Sequence, residues 1–162
     1  MAAKTIVLAT DGSRSAERAL ETAIDLAKAS GRPLRIVSVW SLPVSGFGYG
    51  IVPIPELVQG EVAKAQRAID AAMDAARAAG VSTTSTLLKG FPVEGICEAA
   101  EDAGAGLIVI GAHGWGRLKR LFLGSVSSGV LQHASCPVLV VRDLQAGESR
   151  QPAESGELRE TG

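Results

Sequence analysis

Short runs of aliphatic residues alternate with longer stretches of helical periodicity along this chain. Four of these runs are Thr5 to Ala9, Leu34 to Trp40, Leu107 to Ile110 and Val138 to Val141. Apolar residues at consecutive positions are typical of strands that are covered on both faces of a sheet. A fifth run, Val81 to Leu88, is rich in Thr and Ser, which favours a strand at a sheet edge.

Helical periodicity fills each interval between these predicted strands. The predicted helices are Ser13 to Ser30, Glu56 to Ala79, Pro92 to Ala103 and Ser125 to Ala134. Asp11 or Ser13 can cap the first helix, and the last helix is predicted to end before Pro137. Strands and helices therefore alternate along the chain, as in a parallel sheet with helices on both faces.

This alternation predicts an α/β fold: a single-domain, three-layer α/β/α sandwich around a five-stranded parallel sheet. Right-handed crossovers place strands one to three in one direction, and a return of the chain to the middle gives the order 3-2-1-4-5. Such sheets bind ligands where the order reverses, which is here between strands one and four. We predict this domain over residues 1–143 and a polar, disordered tail over residues 144–162.

Composition and charge exclude several classes of function. The net charge is −1 and 4% of the residues are aromatic, so no basic surface or stacking platform for nucleic acid is predicted. No apolar run approaches the roughly 20 residues that a membrane-spanning helix needs. The apolar run near the N-terminus ends at Asp11, which favours a strand over a signal peptide. We therefore predict a cytoplasmic protein in which Cys97 and Cys136 are reduced and pack as small apolar residues.

The segment with the clearest chemistry is GAHGWGRLKRLFLGSVS, residues 111–127, which leaves the fourth strand and enters the last helix. Gly111 and Gly114 are predicted to let the backbone approach a ligand closely and to adopt positive φ, and Gly124 to do the same at the helix entrance. Ser125 and Ser127 offer hydroxyl groups. The first amides of the helix can bind anionic oxygens, with the helix dipole behind them.

Two neighbouring segments complete this prediction. Arg117, Lys119 and Arg120 add positive charge to the turn, either to attract phosphate or simply as a solvated face. Residues 41–55, SLPVSGFGYGIVPIP, form a Gly- and Pro-rich loop at the same edge of the sheet. Its composition and position suggest a lid that is mobile when the site is empty.

The spacing Gly111-x-x-Gly114, nine residues, then Gly124-Ser125 resembles the G-2x-G-9x-G(S/T) motif of ATP-binding universal stress proteins. The segments ATDGS near the N-terminus and CPVLVVR before the tail also resemble this family. The likeness covers about residues 3–142. It implies a Rossmann-like fold of the adenine nucleotide alpha hydrolase-like type, and a bound ATP with Mg²⁺.

The resemblance also implies the positions of the nucleotide contacts. Thr10 and Asp11 would lie against the nucleotide, with Asp11 contacting Mg²⁺ or the ribose, and the backbone of Val39 would contact adenine. The implied phosphate turns comprise Gly111, His113 and Gly114, and then Gly124, Ser125, Val126 and Ser127. From the residues alone, Asp11 can equally be a helix cap and His113 an exposed loop residue.

Three classes of function fit these observations. The first is an ATP-binding stress-response or signalling module, with AMP or a cyclic nucleotide as alternative ligands. The second is a slow ATPase, for which Asp11 and His113 are the nearby candidates to position or deprotonate water. The third is a nucleotide-independent dimerising domain.

A homodimer is predicted in any of these cases. The fifth strand lies at a sheet edge in the order 3-2-1-4-5, although its residues are strongly apolar, and a soluble protein normally covers such an edge. Pairing with a second copy across a two-fold axis would cover it. The pairing residues would be Val138, Leu139, Val140 and Val141, and the resemblance implies the same arrangement.

Overall fold

The computed structural model of the protein describes residues 4–41, 55–114 and 123–142. The elements in chain order are β1 Ile6–Ala9, α1 Arg14–Ser30, β2 Leu34–Trp40, α2 Pro55–Ala78, β3 Thr83–Lys89, α3 Pro92–Asp102, β4 Leu107–Gly111, α4 Ser125–His133 and β5 Val138–Val141. Most of loop 41–55, the basic residues Arg117, Lys119 and Arg120, and the tail lie outside the described residues.

The strands form one five-stranded parallel sheet of order β3-β2-β1-β4-β5, which confirms the predicted topology. In the ladders of the central strand, Ala9 pairs with Val37 of β2 and with Ile110 of β4. The carboxyl ends of β1 and β4 therefore lie side by side, at the point where the strand order reverses.

Two hydrophobic cores, one on each face of the sheet, hold the layers together. On one face the small residues of α1 and α2 pack against Ile6, Leu8 and Ile36. On the other face α3 and α4 pack against Val7, Val37 and Ile108. β1 is buried at all four positions, so it lies between the two cores, and the loop that carries Thr10 and Asp11 follows its carboxyl end.

The start of α1 uses both of the predicted capping residues. Ser13 is the N-cap, and its Oγ accepts a hydrogen bond from the Ala16 amide at 3.3 Å. Asp11, two residues before the N-cap, accepts a hydrogen bond through Oδ1 from the Ser13 amide at 2.9 Å. Gly12 has a φ of 73°, a conformation that glycine adopts without strain. The Asp11 carboxylate is thereby held beside the end of β1.

The third strand begins later than predicted. Val81 instead closes the end of α2: Gly80 has a φ of 76°, and the Val81 amide donates a hydrogen bond to the Ala76 carbonyl at 3.0 Å. This is the glycine-terminated helix end in which the following apolar residue folds back onto the helix, and Val81 is buried accordingly. Near the start of α2, the apolar residues Val58 and Val62 are only half-buried.

Two further sequence predictions concern membrane crossing and the state of the cysteines. Among the described helices, none is both long and apolar enough to cross a membrane. Cys97 and Cys136 are unpaired thiols and half-buried rather than enclosed in the core. His133, in the last turn of α4, is exposed and has its Nδ1 2.9 Å from the Gly129 carbonyl oxygen.

Candidate functional site

A cavity of about 330 Å³ lies at the carboxyl ends of β1, β2 and β4, on the side of the sheet that carries α3 and α4. Every predicted site residue that the structure describes lines it. These residues are Thr10, Asp11, Val39, Gly111, His113, Gly114, Gly124, Ser125, Val126 and Ser127. Arg117, the remaining predicted contact, lies outside the described residues. The fold thus brings together three segments that are far apart in the sequence.

The floor of the cavity is apolar, and sequence reasoning did not assign its residues to the site. Val37, Ile96 and Ile110 line it, together with Pro92 at the start of α3. Ile96 lies on α3, and the packing of this helix against the sheet brings it to the cavity. An apolar floor with a few polar groups at one end is the usual composition of a small-molecule pocket.

The turn after β4 is braced by the start of α1. Ser13 Oγ donates to the carbonyl of His113 at 3.4 Å, and the His113 amide donates to Ser15 Oγ at 3.3 Å. Both serines are buried. Sequence reasoning treated Ser13 only as a helix cap and overlooked Ser15, because these contacts join residues about a hundred positions apart. The two serines fix the turn so that its backbone faces the cavity.

The three motif glycines do not have the predicted positive φ. Glycines with positive φ in the described ranges are Gly12, Gly31, Gly80, Gly90 and Gly104. The prediction for the motif was therefore wrong: neither Gly111 nor Gly114 is among them, and Gly124 has a φ of −63°.

Close packing explains the motif glycines instead. A Cβ at Gly111 would lie 2.7 Å from the carbonyl carbon of Ser15, in the backbone of α1. At Gly114 it would lie 2.7 Å from Asp11 Oδ2, and at Gly124 3.3 Å from the Ala112 carbonyl oxygen. The glycines therefore let β4, α1 and α4 approach one another around the cavity.

The N-terminus of α4 points its first amides into the cavity region. Gly124 is the N-cap and has no side-chain cap, and the first bond of the helix runs from the Ser128 amide to the Gly124 carbonyl. The amides of Ser125, Val126 and Ser127 therefore precede the hydrogen-bonded ladder. Such amides, with the helix dipole behind them, attract anions.

Ser127 has a structural role in the wall of the cavity. Its Oγ is buried and lies 2.9 Å from the Ala112 carbonyl oxygen and 3.0 Å from that of Gly124. The Gly124 amide also donates to the Ala112 carbonyl at 2.8 Å. The single hydroxyl hydrogen of Ser127 is thus directed at the turn, and joins the start of α4 to the end of β4.

Charge is sparse in this cavity. Of the lining residues that the structure describes, Asp11 is the one carboxylate, and none is Lys or Arg. Across the described part of the chain, no group of three or more His, Cys, Asp or Glu side chains could hold a metal ion. A cation at Asp11 would therefore need most of its ligands from a bound molecule or from water.

These features define the class of the protein as an open, doubly wound α/β domain with a ligand crevice at its topological switch point. The chain belongs to the universal stress protein family, which it matches over residues 2–142. It is 35% identical to universal stress protein YxiE of Bacillus subtilis in an alignment of 144 residues, which covers 85% of this chain and 97% of that protein.

Solved structures of the family share the fold. Universal stress protein UspA from Lactobacillus plantarum superposes with a TM-score of 0.74 at 26% identity, covering 88% of this chain and 99% of that one. A universal stress protein in complex with cAMP matches with a TM-score of 0.65 at 30% identity, over 87% and 98% of the chains. One from Archaeoglobus fulgidus in complex with dAMP has a TM-score of 0.64 at 27% identity, over 87% and 99%.

Proposed function

We propose that this protein binds ATP with Mg²⁺ in the cavity between β1 and β4, and acts as a nucleotide-dependent module in stress response or signalling. The observation that carries the proposal is the polarity of the cavity. One end presents the amides of α4 and the glycine turn, whereas the floor is apolar. A nucleotide has the matching polarity, with an anionic phosphate end and a flat base. The complexes of relatives with cAMP and dAMP support an adenine nucleotide.

The cavity offers a place for each part of the ligand. The base would lie on Val37 and Ile96, with the backbone of Val39 at its edge. The phosphates would accept hydrogen bonds from the amides at the start of α4, where the Ser125 hydroxyl is exposed beside them. The wall that Ser127 stabilises would keep these amides in position.

Asp11 is the residue that would hold Mg²⁺. A carboxylate oxygen suits this hard cation, which is commonly bound by one or two carboxylates together with substrate phosphates and water. Asp11 Oδ1 accepts the Ser13 amide and Oδ2 lies against Gly114, so the side chain is oriented toward the phosphate turn. When bound, Mg²⁺ would neutralise phosphate charge next to this carboxylate.

A binding role is favoured over a dedicated ATPase. Hydrolysis requires a group that positions water and accepts its proton. In the described wall of the cavity, Asp11 and His113 are the side chains with suitable chemistry. One carboxylate oxygen is already engaged as a turn acceptor, and the His113 backbone fixes the turn to α1. Slow turnover of ATP is therefore the most that we propose.

Isothermal titration of ATP with Mg²⁺ tests this proposal. We expect a dissociation constant in the micromolar range, about −8 kcal/mol. A variant carrying both Gly114→Val and Gly124→Val should lose binding, because the added side chains displace Asp11 and widen the turn. Gly60→Val is the matched control, since a Cβ at this glycine of α2 meets nothing within 4 Å. Equal binding by the double variant and the control would refute the phosphate assignment.

A second proposal is a homodimer joined through β5. The strand lies at the sheet edge, and Leu139 is 37% exposed there. Pairing with a second copy would satisfy the backbone groups of this edge and cover its apolar side chains. We also propose a cytoplasmic location, which is supported by the burial of the apolar run Ile6–Ala9 as the central strand.

A further inference from the structure

A second cavity, of about 420 Å³, lies on the other side of the β1–α1 turn, between α1 and α2. It shares Thr10, Asp11 and Ala16 with the cavity described above. The turn that carries Asp11 is therefore a wall common to the two cavities, and a ligand that reaches Asp11 from one side lies next to the other.

The two cavities differ in charge. Among the described residues, the lining of the first has one charged side chain, Asp11, and neither Lys nor Arg. The second is lined by Lys64 and Arg67 of α2, and also by Glu17 of α1. Lys64 and Arg67 are three positions apart, so both point from the same face of the helix. Lys64 is half-buried and Arg67 is exposed.

We propose that Lys64 and Arg67 bind the terminal phosphates of a nucleoside triphosphate and make this protein distinguish ATP from AMP. The proposal rests on nucleotide binding at the first cavity, as proposed above. The two cations are specificity-determining residues, and the second cavity is the part of the site that a monophosphate does not reach.

Charge and position support this assignment. The amides of α4 and the glycine turn suffice for a single phosphate, but the first cavity is at the small end of the range for ligand pockets. A longer phosphate chain leaving Gly114 passes the Asp11 carboxylate, which would repel it without a cation nearby. Mg²⁺ at Asp11 would neutralise that carboxylate. Lys64 and Arg67 would then face the added phosphates, and their two positive charges exceed the single negative charge of Glu17.

The experiment compares ATP and AMP binding to the full chain carrying both Lys64→Gln and Arg67→Gln, by isothermal titration in the same magnesium buffer. Arg77→Gln is the matched control, because Arg77 is an exposed cation in the last turn of the same helix and lines neither cavity. We expect ATP binding to weaken about tenfold in the double variant, as for the loss of charge-assisted phosphate contacts. AMP binding should change by less than about twofold, and the control should match the parent.

Three other outcomes would overturn the assignment. Equal weakening of ATP and AMP would mean that the cations act only through the general field of the protein. An unchanged affinity for ATP, in a variant that still binds AMP, would mean that they do not touch the phosphates. A parent protein that binds neither nucleotide would overturn the proposed function as well. This outcome is distinguishable from the other two because it is observed with the parent protein alone.

Discussion

Replacing Gly111 by Ala should destabilise the whole fold, because this glycine lies where β4 meets the start of α1. A Cβ at this position would be 2.7 Å from the Ser15 carbonyl carbon and 2.8 Å from its oxygen. Carbon atoms in good contact are about 3.5–4.0 Å apart, so the backbone of α1 would have to move by roughly 0.8 Å or more. A helix backbone cannot rotate away as the end of a side chain can.

The expected cost follows from these distances. Overpacking a well-packed interior costs about 1–3 kcal/mol, and the lower chain entropy of Ala relative to Gly returns roughly 0.5–1 kcal/mol. With the middle of each range, the net loss in the free energy of unfolding is about 1 kcal/mol. For a chain of this length, that corresponds to a decrease in Tm of about 2–4 °C.

Thermal unfolding followed by circular dichroism tests this prediction against two other Gly→Ala changes. Gly60→Ala, in open space on α2, should raise the Tm, because Ala favours a helix by up to about 1 kcal/mol. Among the described residues, a Cβ at Gly114 meets the end of the Asp11 side chain and no backbone, so Gly114→Ala should leave the Tm nearly unchanged but weaken ATP binding. A Gly111→Ala protein that melts with the parent would refute this explanation of the motif glycine.

Three further predictions concern single side chains. Ser127→Ala should lower the free energy of unfolding by about 1–2 kcal/mol, since it removes a buried donor from the turn carbonyls; an unchanged urea midpoint would contradict this. Burial raises the pKa of the Cys97 and Cys136 thiols. At pH 7 both thiols should therefore react with Ellman's reagent more slowly than glutathione does, and their reaction should become faster as the pH rises. Labelling as fast as that of glutathione at pH 7 would contradict this prediction. Val140→Pro removes an amide from the open edge of β5, because the register with β4 turns the amides of Leu139 and Val141 toward β4. This change should weaken a dimer that survives truncation after Asp143, whereas a monomeric parent in light scattering at micromolar concentration would refute the dimer.

The sheet order could be predicted from the sequence because its main determinants are local. Runs such as Ile6–Ala9 and Leu107–Ile110 are apolar at every position, which marks strands buried within the sheet, whereas the Thr- and Ser-rich third strand marks an edge. Right-handed crossovers then leave few alternatives. The beginning of β3 was the exception, since Val81 is as apolar as a strand residue but completes the end of α2.

The contacts around the candidate site could be predicted only in part. The glycine spacing identified Gly111, Gly114 and Gly124, but not what a Cβ there would meet, which depends on α1 and Asp11 packed against the turn. For the same reason the role of Ser15 was missed, because its partner His113 is 98 residues away in the sequence. Such contacts depend on the assembled layers rather than on any local pattern.

The cations of the second cavity were also beyond local reasoning. Lys64 and Arg67, which lie on α2, were assigned no role from the sequence. Only the packing of α2 beside α1 brings them to the turn that carries Asp11.

The central claim is that an adenine nucleotide occupies the crevice between β1 and β4, and a crystal structure of the protein grown with ATP and Mg²⁺ tests it most directly. We expect the base on Val37 and Ile96, the phosphates at the amides of Ser125 and Val126, and the metal at Asp11. Nucleotide density at any other surface, or an empty crevice at an ATP concentration that saturates the protein in solution, would contradict the account.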